Sequence, residues 1–298
     1  MTEPLATVVA ICHNHARWVE GCLESIRRQT YTPCQVIVIN NTTTDDSENL
    51  IRQFVANYAL DWMVVQNDRP LSVVQNCNLG LNYTRGEFLA VLACDDEMLP
   101  DRLARQVAKF AQLPGEYACV YGEMNLIDEG GAPLGRFYAG KRLLAGQPLP
   151  SGTLLWENSH ACFVGAPAAL LRTASVRAVG GYDTRFNFED WPLYLALGRA
   201  GKKFFGLPAP LTNYRLVAGS LGKQLGHQRL KEMHQLFSSN EDILVPHPRA
   251  VRKWQGFAAR LRKSDTRRGW AFELRILRWA GLNYFAALLT NVSTSFSR

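Results

Sequence analysis

Five short apolar runs punctuate the first part of the chain: Ala6–Cys12, Gln35–Asn40, Trp62–Gln66, Phe88–Leu92 and Ala118–Tyr121. Their length and β-branched content predict buried strands. Between them the apolar spacing changes to that of a helix. Trp18, Val19, Cys22, Leu23 and Ile26 share one helical face, as do Leu50, Ile51, Phe54, Val55 and Tyr58. Strand–helix alternation at this interval predicts βαβ crossovers, hence an α/β domain with a Rossmann-like, mostly parallel sheet flanked by helices. Ligands of such sheets bind beyond the carboxyl ends of the strands. That rule gathers three polar segments on one edge: CHNH after the first run, NNTTTDD after the second and ACDD after the fourth.

From Gly122 the alternation stops. Residues 122–152 are rich in Gly and Pro and predict strands and loops over that edge; helices are expected over Ala168–Val179 and Glu189–Ala200. Beyond Leu225 the pattern is helical to the end. The expected division is a catalytic domain at 1–224, with parts 1–121 and 122–224, followed by a basic helical extension at 225–298.

Composition narrows the possibilities. A chain of 298 residues with 47% hydrophobic and 20% charged residues can bury a sizeable core. Seven cysteines are spread singly with no C-x-x-C pair, which argues against a disulfide framework or a zinc site and fits a reducing, cytoplasmic setting. The start, MTEPLATVVAICHN, lacks the basic lead of a signal peptide, and no apolar run reaches the length of a membrane span. The net charge of +7 is concentrated between Arg249 and Arg278, where ten Lys and Arg face Asp265 and Glu273. A nucleic-acid binder would spread that charge over its main domain with interleaved aromatics, so no nucleic-acid partner is expected.

Two adjacent carboxylates at a strand end, Asp95 and Asp96, repel one another and resist burial. Either they cap the helix that starts after Pro100, or they hold a divalent cation through hard oxygen ligands.

With the strand ends located, the chain resembles a family 2 glycosyltransferase of the GT-A fold. The resemblance rests on the N-terminal strand and turn followed by LESIRRQTY and VIVINNTTTDDS, on VVQNCNLGLNYTRGEFLAVLACDDEMLPDRL, on VGGYDTRFNFEDWPLYLALGRAG, and on NYRLVAGSLG. Their order and spacing, over roughly residues 5–222, carry the likeness; each motif alone is weak. The resemblance implies an inverting transfer from a nucleotide-diphosphate sugar, with a UDP-sugar as the expected donor, to a hydroxyl of a glycan or lipid-linked acceptor in surface polysaccharide synthesis. It implies Mg²⁺ or Mn²⁺ held by Asp95, with Asp96 supporting the metal shell or facing the acceptor. Asp190 matches the general base, against the alternative of a first-turn acid stabilised by its helix dipole. Ile11, His13 and Asn41 fall at the nucleobase side. His13 sits where many members stack an aromatic ring, whereas His15 reads as an ordinary loop histidine. Asn76 and Asn78 either face the donor or cap their helix.

Three departures stand out. Ala93 replaces the first Asp of the D-x-D motif, Asn40 and Asn41 replace paired acids after the second strand, and Val217 stands where many members have a histidine. They keep open a second possibility, a catalytically inactive module that binds sugar nucleotides. The basic tail, with Trp270, Phe272, Leu274, Ile276, Leu277, Trp279, Leu282, Tyr284 and Phe285 among its arginines, suggests an amphipathic helix. It would pack on the protein or a second subunit in a homo-oligomer, or contact the anionic inner face of the membrane peripherally.

Overall fold

The computed structural model describes residues 3–138, 148–218, 226–244 and 248–281. The chain divides into two compact units, Met1–Leu154 with Val164–Ala218, and Leu155–Phe163 with Gly219–Arg298.

The first unit is built on one sheet. Strands β1 (Ala6–Cys12), β2 (Cys34–Asn40), β3 (Met63–Gln66) and β4 (Phe88–Ala93) alternate with helices α1 (Val19–Arg27), α2 (Ser47–Asn57) and α3 (Val73–Tyr83). β1 lies between β2 and β4 and β3 lies outside β2, all parallel, with Val8 opposite both Val36 and Ala90. Residues of β1 are buried on both faces, which is why that strand reads as an unbroken apolar run rather than an alternating one. Val19, Cys22, Leu23 and Ile26 bury one stripe of α1 against this sheet, as their spacing requires. On α2 the stripe is narrower: Ile51 and Phe54 are buried, while Tyr58 lies out under the Arg27 guanidinium.

Beyond β4 the sheet changes direction. β5 (Glu97–Met98), α4 (Arg102–Phe110), β6 (Tyr117–Ile127) and β7 (Pro133–Arg136) come next. β8 (Leu170–Arg172), α6 (Thr173–Ala178), α7 (Asp190–Arg199) and β9 (Lys203–Arg215) complete the unit; α5 (Leu155–Asn158) belongs to the second unit. The strand order is β3-β2-β1-β4-β8-β6-β9-β5, with β7 beside β6.

One expectation needs correction, and one strand had not been expected. The helix expected over 168–179 is a 3₁₀ turn at Ala166–Ala168, a strand and a shorter helix. Leu170–Arg172 is captured as an antiparallel strand between the edges of β4 and β6, whose backbone groups need partners. β9 lacks a recognisable strand pattern because Pro208 and Pro210 interrupt it, and the β6–β9 register shifts there.

In the second unit, α8 (His227–Asn240), α9 (Pro248–Ser264) and α10 (Thr266–Trp279) enclose an aromatic core of Phe237, Trp254 and Phe272. The Trp254 indole donates to the Ser159 carbonyl at 2.7 Å, satisfying its only polar atom. No described helix is long and apolar enough to cross a membrane. Of the apolar tail residues, Phe272, Ile276 and Leu277 are buried and Trp270 and Leu274 are exposed. Leu282, Tyr284 and Phe285 lie outside the described residues.

Gly86, just before β4, donates its N–H to the Thr7 hydroxyl, and a Cβ there would lie 2.7 Å from the Thr7 nitrogen and 2.8 Å from the Leu5 carbonyl oxygen. These are backbone atoms and cannot swing aside. Gly86→Ala is therefore expected to destabilise the protein by about 1–3 kcal/mol. Chemical denaturation checks this, and an unchanged midpoint would refute the close approach.

Candidate active site

The polar edge is assembled from strand ends. After β1 the chain turns at Asn14, which adopts a left-handed φ of 57°, tolerated by asparagine better than by most residues. The Asn14 Oδ1 accepts from the Thr44 N–H at 2.7 Å, the His15 N–H donates to the Ser47 hydroxyl at 3.0 Å, and the Ala16 N–H donates to Asp45 at 2.9 Å. The loops after β1 and β2 are thus laced together. His13 is exposed, and its Nδ1 meets the Asn41 carbonyl at 2.8 Å. Since a carbonyl only accepts, that nitrogen carries the proton and leaves Nε2 facing outward. Ile11 is half-buried, and its carbonyl accepts from the Cys94 N–H, which ties the end of β1 to the carboxylate turn.

Asp95 and Asp96 part company in this turn. Asp95 keeps a partly exposed carboxylate, and its Oδ2 lies 4.0 Å from Nε2 of His15. Asp96 is buried, and its Oδ1 accepts from the Arg215 N–H at 2.8 Å. Burial, reinforced by the neighbouring Asp95 charge, pushes the Asp96 carboxyl well above the usual range. Neither aspartate caps α4, whose N-cap position is Asp101. Asp96 is thus directed inward, a position from which it can support the turn around Asp95 but has little exposure to solvent.

Arg215 fastens the turn. Its guanidinium is 5% exposed and donates to the carbonyls of Asp95 at 2.8 Å and Asp128 at 3.1 Å and to the Glu97 carboxylate at 2.7 Å. Arg102, fully buried nearby, donates to Gln106, Thr212 and the Ala169 carbonyl, and burial lowers it to about 10.

Other residues singled out in the sequence have their amides engaged by protein. Asn41 accepts from the Leu71 N–H and donates to the Leu71 carbonyl, and Asn67 donates to both Asn41 and Asn76. Asn76 is fully buried and donates its remaining N–H groups to the Leu71 and Ser72 carbonyls. Asn78 bridges to both the N–H and the carbonyl of Tyr182. Neither asparagine caps α3; Ser72 does so, in a capping box with Gln75. The side chains of Asn41, Asn76 and Asn78 therefore hold neighbouring loops in place. No local pattern marks Asn67 as their hub.

Asp190 opens α7, and its carboxylate accepts from the Trp191 N–H at 2.7 Å. With Glu189 it lines a small, mostly apolar cleft with Val91, Leu171 and Tyr182. Burial first, then the charges of Asp96, Asp95, Asp190 and Glu189, push the Tyr214 phenol up to about 12. Sequence reasoning missed Tyr214 and Arg215 as site residues, although both lie in the NYR triplet that it quoted.

Oxygen and nitrogen donors at Asp95 and His15 suit a divalent cation. Among the described residues no group of three or more His, Cys, Asp and Glu forms a complete cage, so a cation would take its other ligands from bound substrate or water.

Because Asp96 holds its proton more tightly in the folded chain than in the unfolded one, its contribution to stability falls as pH rises above about 4. Asp96→Asn retains an acceptor for the Arg215 N–H and cannot ionise. Its thermal midpoint relative to wild type is expected to rise between pH 4 and pH 8; a constant or shrinking difference would contradict the assignment.

Comparison with known proteins bears on the family and the fold. The model of the family described as Glycosyl transferase family 2 matches residues 7–176. The amylovoran biosynthesis glycosyltransferase AmsE of Erwinia amylovora is 24% identical over 225 residues, 74% of this chain and 78% of that protein. S. aureus TarS 1-349, solved with UDP-GlcNAc, superposes with a TM-score of 0.65 at 12% identity, covering 94% of this chain and 93% of that one. The match spans 43% of a longer TarS chain. The mannosyltransferase PcManGT of Pyrobaculum calidifontis, solved with GDP-Man and Mn²⁺, gives 0.62 at 17% identity, covering 99% and 81%. The sheet is that of the GT-A glycosyltransferases, and the chain belongs to glycosyl transferase family 2.

Proposed function

We propose that this glycosyltransferase transfers a sugar, with inversion, from a nucleotide diphosphate to a hydroxyl of a growing surface polysaccharide or its lipid-linked precursor. The observation that carries the reading is that Asp190 lines a cleft together with Val91 of β4, the strand whose carboxyl end turns through Asp95. Relatives that make polysaccharide and neighbours solved with UDP-GlcNAc and GDP-Man support a nucleotide-sugar donor and a glycan acceptor.

In this reading the exposed His13 ring, oriented by the Asn41 carbonyl, stacks on the nucleobase beside Ile11. Asp95 and its neighbours receive the diphosphate. A Mg²⁺ or Mn²⁺ bound at Asp95 would neutralise negative charge developing on the leaving diphosphate. Asp190 accepts the proton of the acceptor hydroxyl as its oxygen approaches the anomeric carbon from the opposite face. Asp190 stands in the first turn of α7, a position that suits an acidic side chain, so the helix-start and base roles are compatible. Glu189 and Tyr182 border the acceptor side of the cleft.

Asp190→Asn is expected to bind donor normally and to lose transfer by a factor on the order of 10² to 10⁴. Single-turnover transfer and calorimetric binding of UDP-sugars check both halves; near-wild-type turnover would move the base role elsewhere, first to Glu189. Asp95→Asn is expected to abolish metal-dependent nucleotide binding without unfolding the chain. Unchanged calorimetric affinity for UDP with Mn²⁺ would remove Asp95 from the role.

The reading extends to location. Arg267, Trp270, Leu274 and Arg278 follow one another at helical spacing along the exposed side of α10. Basic and aromatic residues so arranged suit an anionic membrane surface, where a lipid-linked acceptor would be presented. Wild-type protein is expected to co-sediment with anionic vesicles at low salt, and a Trp270→Glu, Leu274→Glu variant to lose most of that binding. Equal sedimentation of the two would exclude this helix as the contact.

A further inference from the structure

The histidine after Asn14 has a geometry that an ordinary loop residue does not need. Nε2 of His15 and Oδ2 of Asp95 are 4.0 Å apart, beyond hydrogen-bond range. Two atoms bonded to one cation at about 2.0–2.2 Å lie about 3 Å apart when adjacent and about 4 Å apart when opposite, so this separation leaves room for an ion between them. Among the described residues no hydrogen-bond donor reaches the Asp95 carboxylate, and both side chains are about one-fifth exposed, open to an ion and its remaining ligands. His15 is also held in position. Its backbone N–H is bonded to the Ser47 hydroxyl, its ring stands edge-on to Trp18 at 6.1 Å, and the preceding Asn14 turn is pinned by Thr44. The other histidine of the loop has Nδ1 committed to the Asn41 carbonyl.

We propose that His15 is a second protein ligand of the cation site, its imidazole nitrogen acting together with the Asp95 carboxylate while donor diphosphate oxygens and water fill the rest. The inference rests on Asp95 being the cation-binding carboxylate. It has a consequence for selectivity that a carboxylate alone lacks. An imidazole donor favours the first-row transition ions, in the order of their intrinsic affinities, over Mg²⁺, which strongly prefers oxygen. The site should therefore take Mn²⁺ or Co²⁺ in preference to Mg²⁺.

The test is pulsed electron-spin-echo spectroscopy of Mn²⁺ added with UDP to the full chain, alongside calorimetric titration of Mn²⁺ and Mg²⁺. A directly bonded imidazole gives a ¹⁴N coupling to the manganese, and protein labelled with ¹⁵N-histidine identifies its source. Wild type is expected to show that coupling. His15→Gln is expected to lose it, to bind Mn²⁺ about 10- to 100-fold more weakly, and to lose the preference for Mn²⁺ over Mg²⁺. Bound Mn²⁺ without histidine ¹⁴N coupling in the wild type overturns the proposal, and needs no variant to fold. Coupling that persists in His15→Gln overturns it as well. If Asp95→Asn leaves Mn²⁺ binding unchanged, the failure lies in the assignment of Asp95 itself.

Discussion

The architecture of the polar edge depends on one buried cation, the guanidinium of Arg215. It sits at the end of β9 and holds the carboxylate turn after β4 by the Asp95 carbonyl, while its own backbone N–H holds Asp96. It also reaches the Asp128 carbonyl and the Glu97 carboxylate. A guanidinium can do this because its five N–H groups form a rigid, permanently charged fork. Removing the guanidinium would take a donor from the Asp95 and Asp128 carbonyls and the charged partner from Glu97, leaving only the backbone bond to Asp96 to hold the turn.

That clamp turns two chemically identical neighbours into different groups. Asp96 is drawn inward and kept from ionising easily, while Asp95 remains at the surface beside His15. Two adjacent carboxylates are far easier to accommodate when only one of them must be charged. In the proposed reading this leaves a single acidic ligand for the cation, and Ala93 removes a further acid from the strand end. A lean ligand set of this kind would make the donor diphosphate part of the metal site, coupling ion and nucleotide binding.

Much of the fold was legible in the sequence because β1 to β4 and the helices between them carry strong, local hydrophobic periods. The Leu170–Arg172 strand was not legible, since its three residues are defined by the open edges of β4 and β6 and by nothing within themselves. β9 was hidden by its prolines. In the site, Asp95 was conspicuous as one of two adjacent acids at a strand end, whereas Asp190 was singled out by its resemblance to the family motif. The hydrogen-bond partners of the asparagines were not legible. Asn41, Asn76 and Asn78 look like ligand-binding amides in sequence, yet their partners are backbone groups of Leu71, Ser72 and Tyr182, and the Asn67 side chain. Only packing shows whether an amide's hydrogen bonds are already used. His15 was passed over because its significance lies in a distance to a residue eighty positions away.

The central claim is that Asp95 marks the place where cation and donor diphosphate meet. Anomalous diffraction at a wavelength sensitive to manganese, from crystals grown with UDP and Mn²⁺, tests it most directly. The account predicts an anomalous peak at bonding distance, about 2.0–2.3 Å, from an Asp95 carboxylate oxygen and from diphosphate oxygens together. UDP bound in well-defined density with the manganese peak elsewhere, or with none at Asp95, would contradict it.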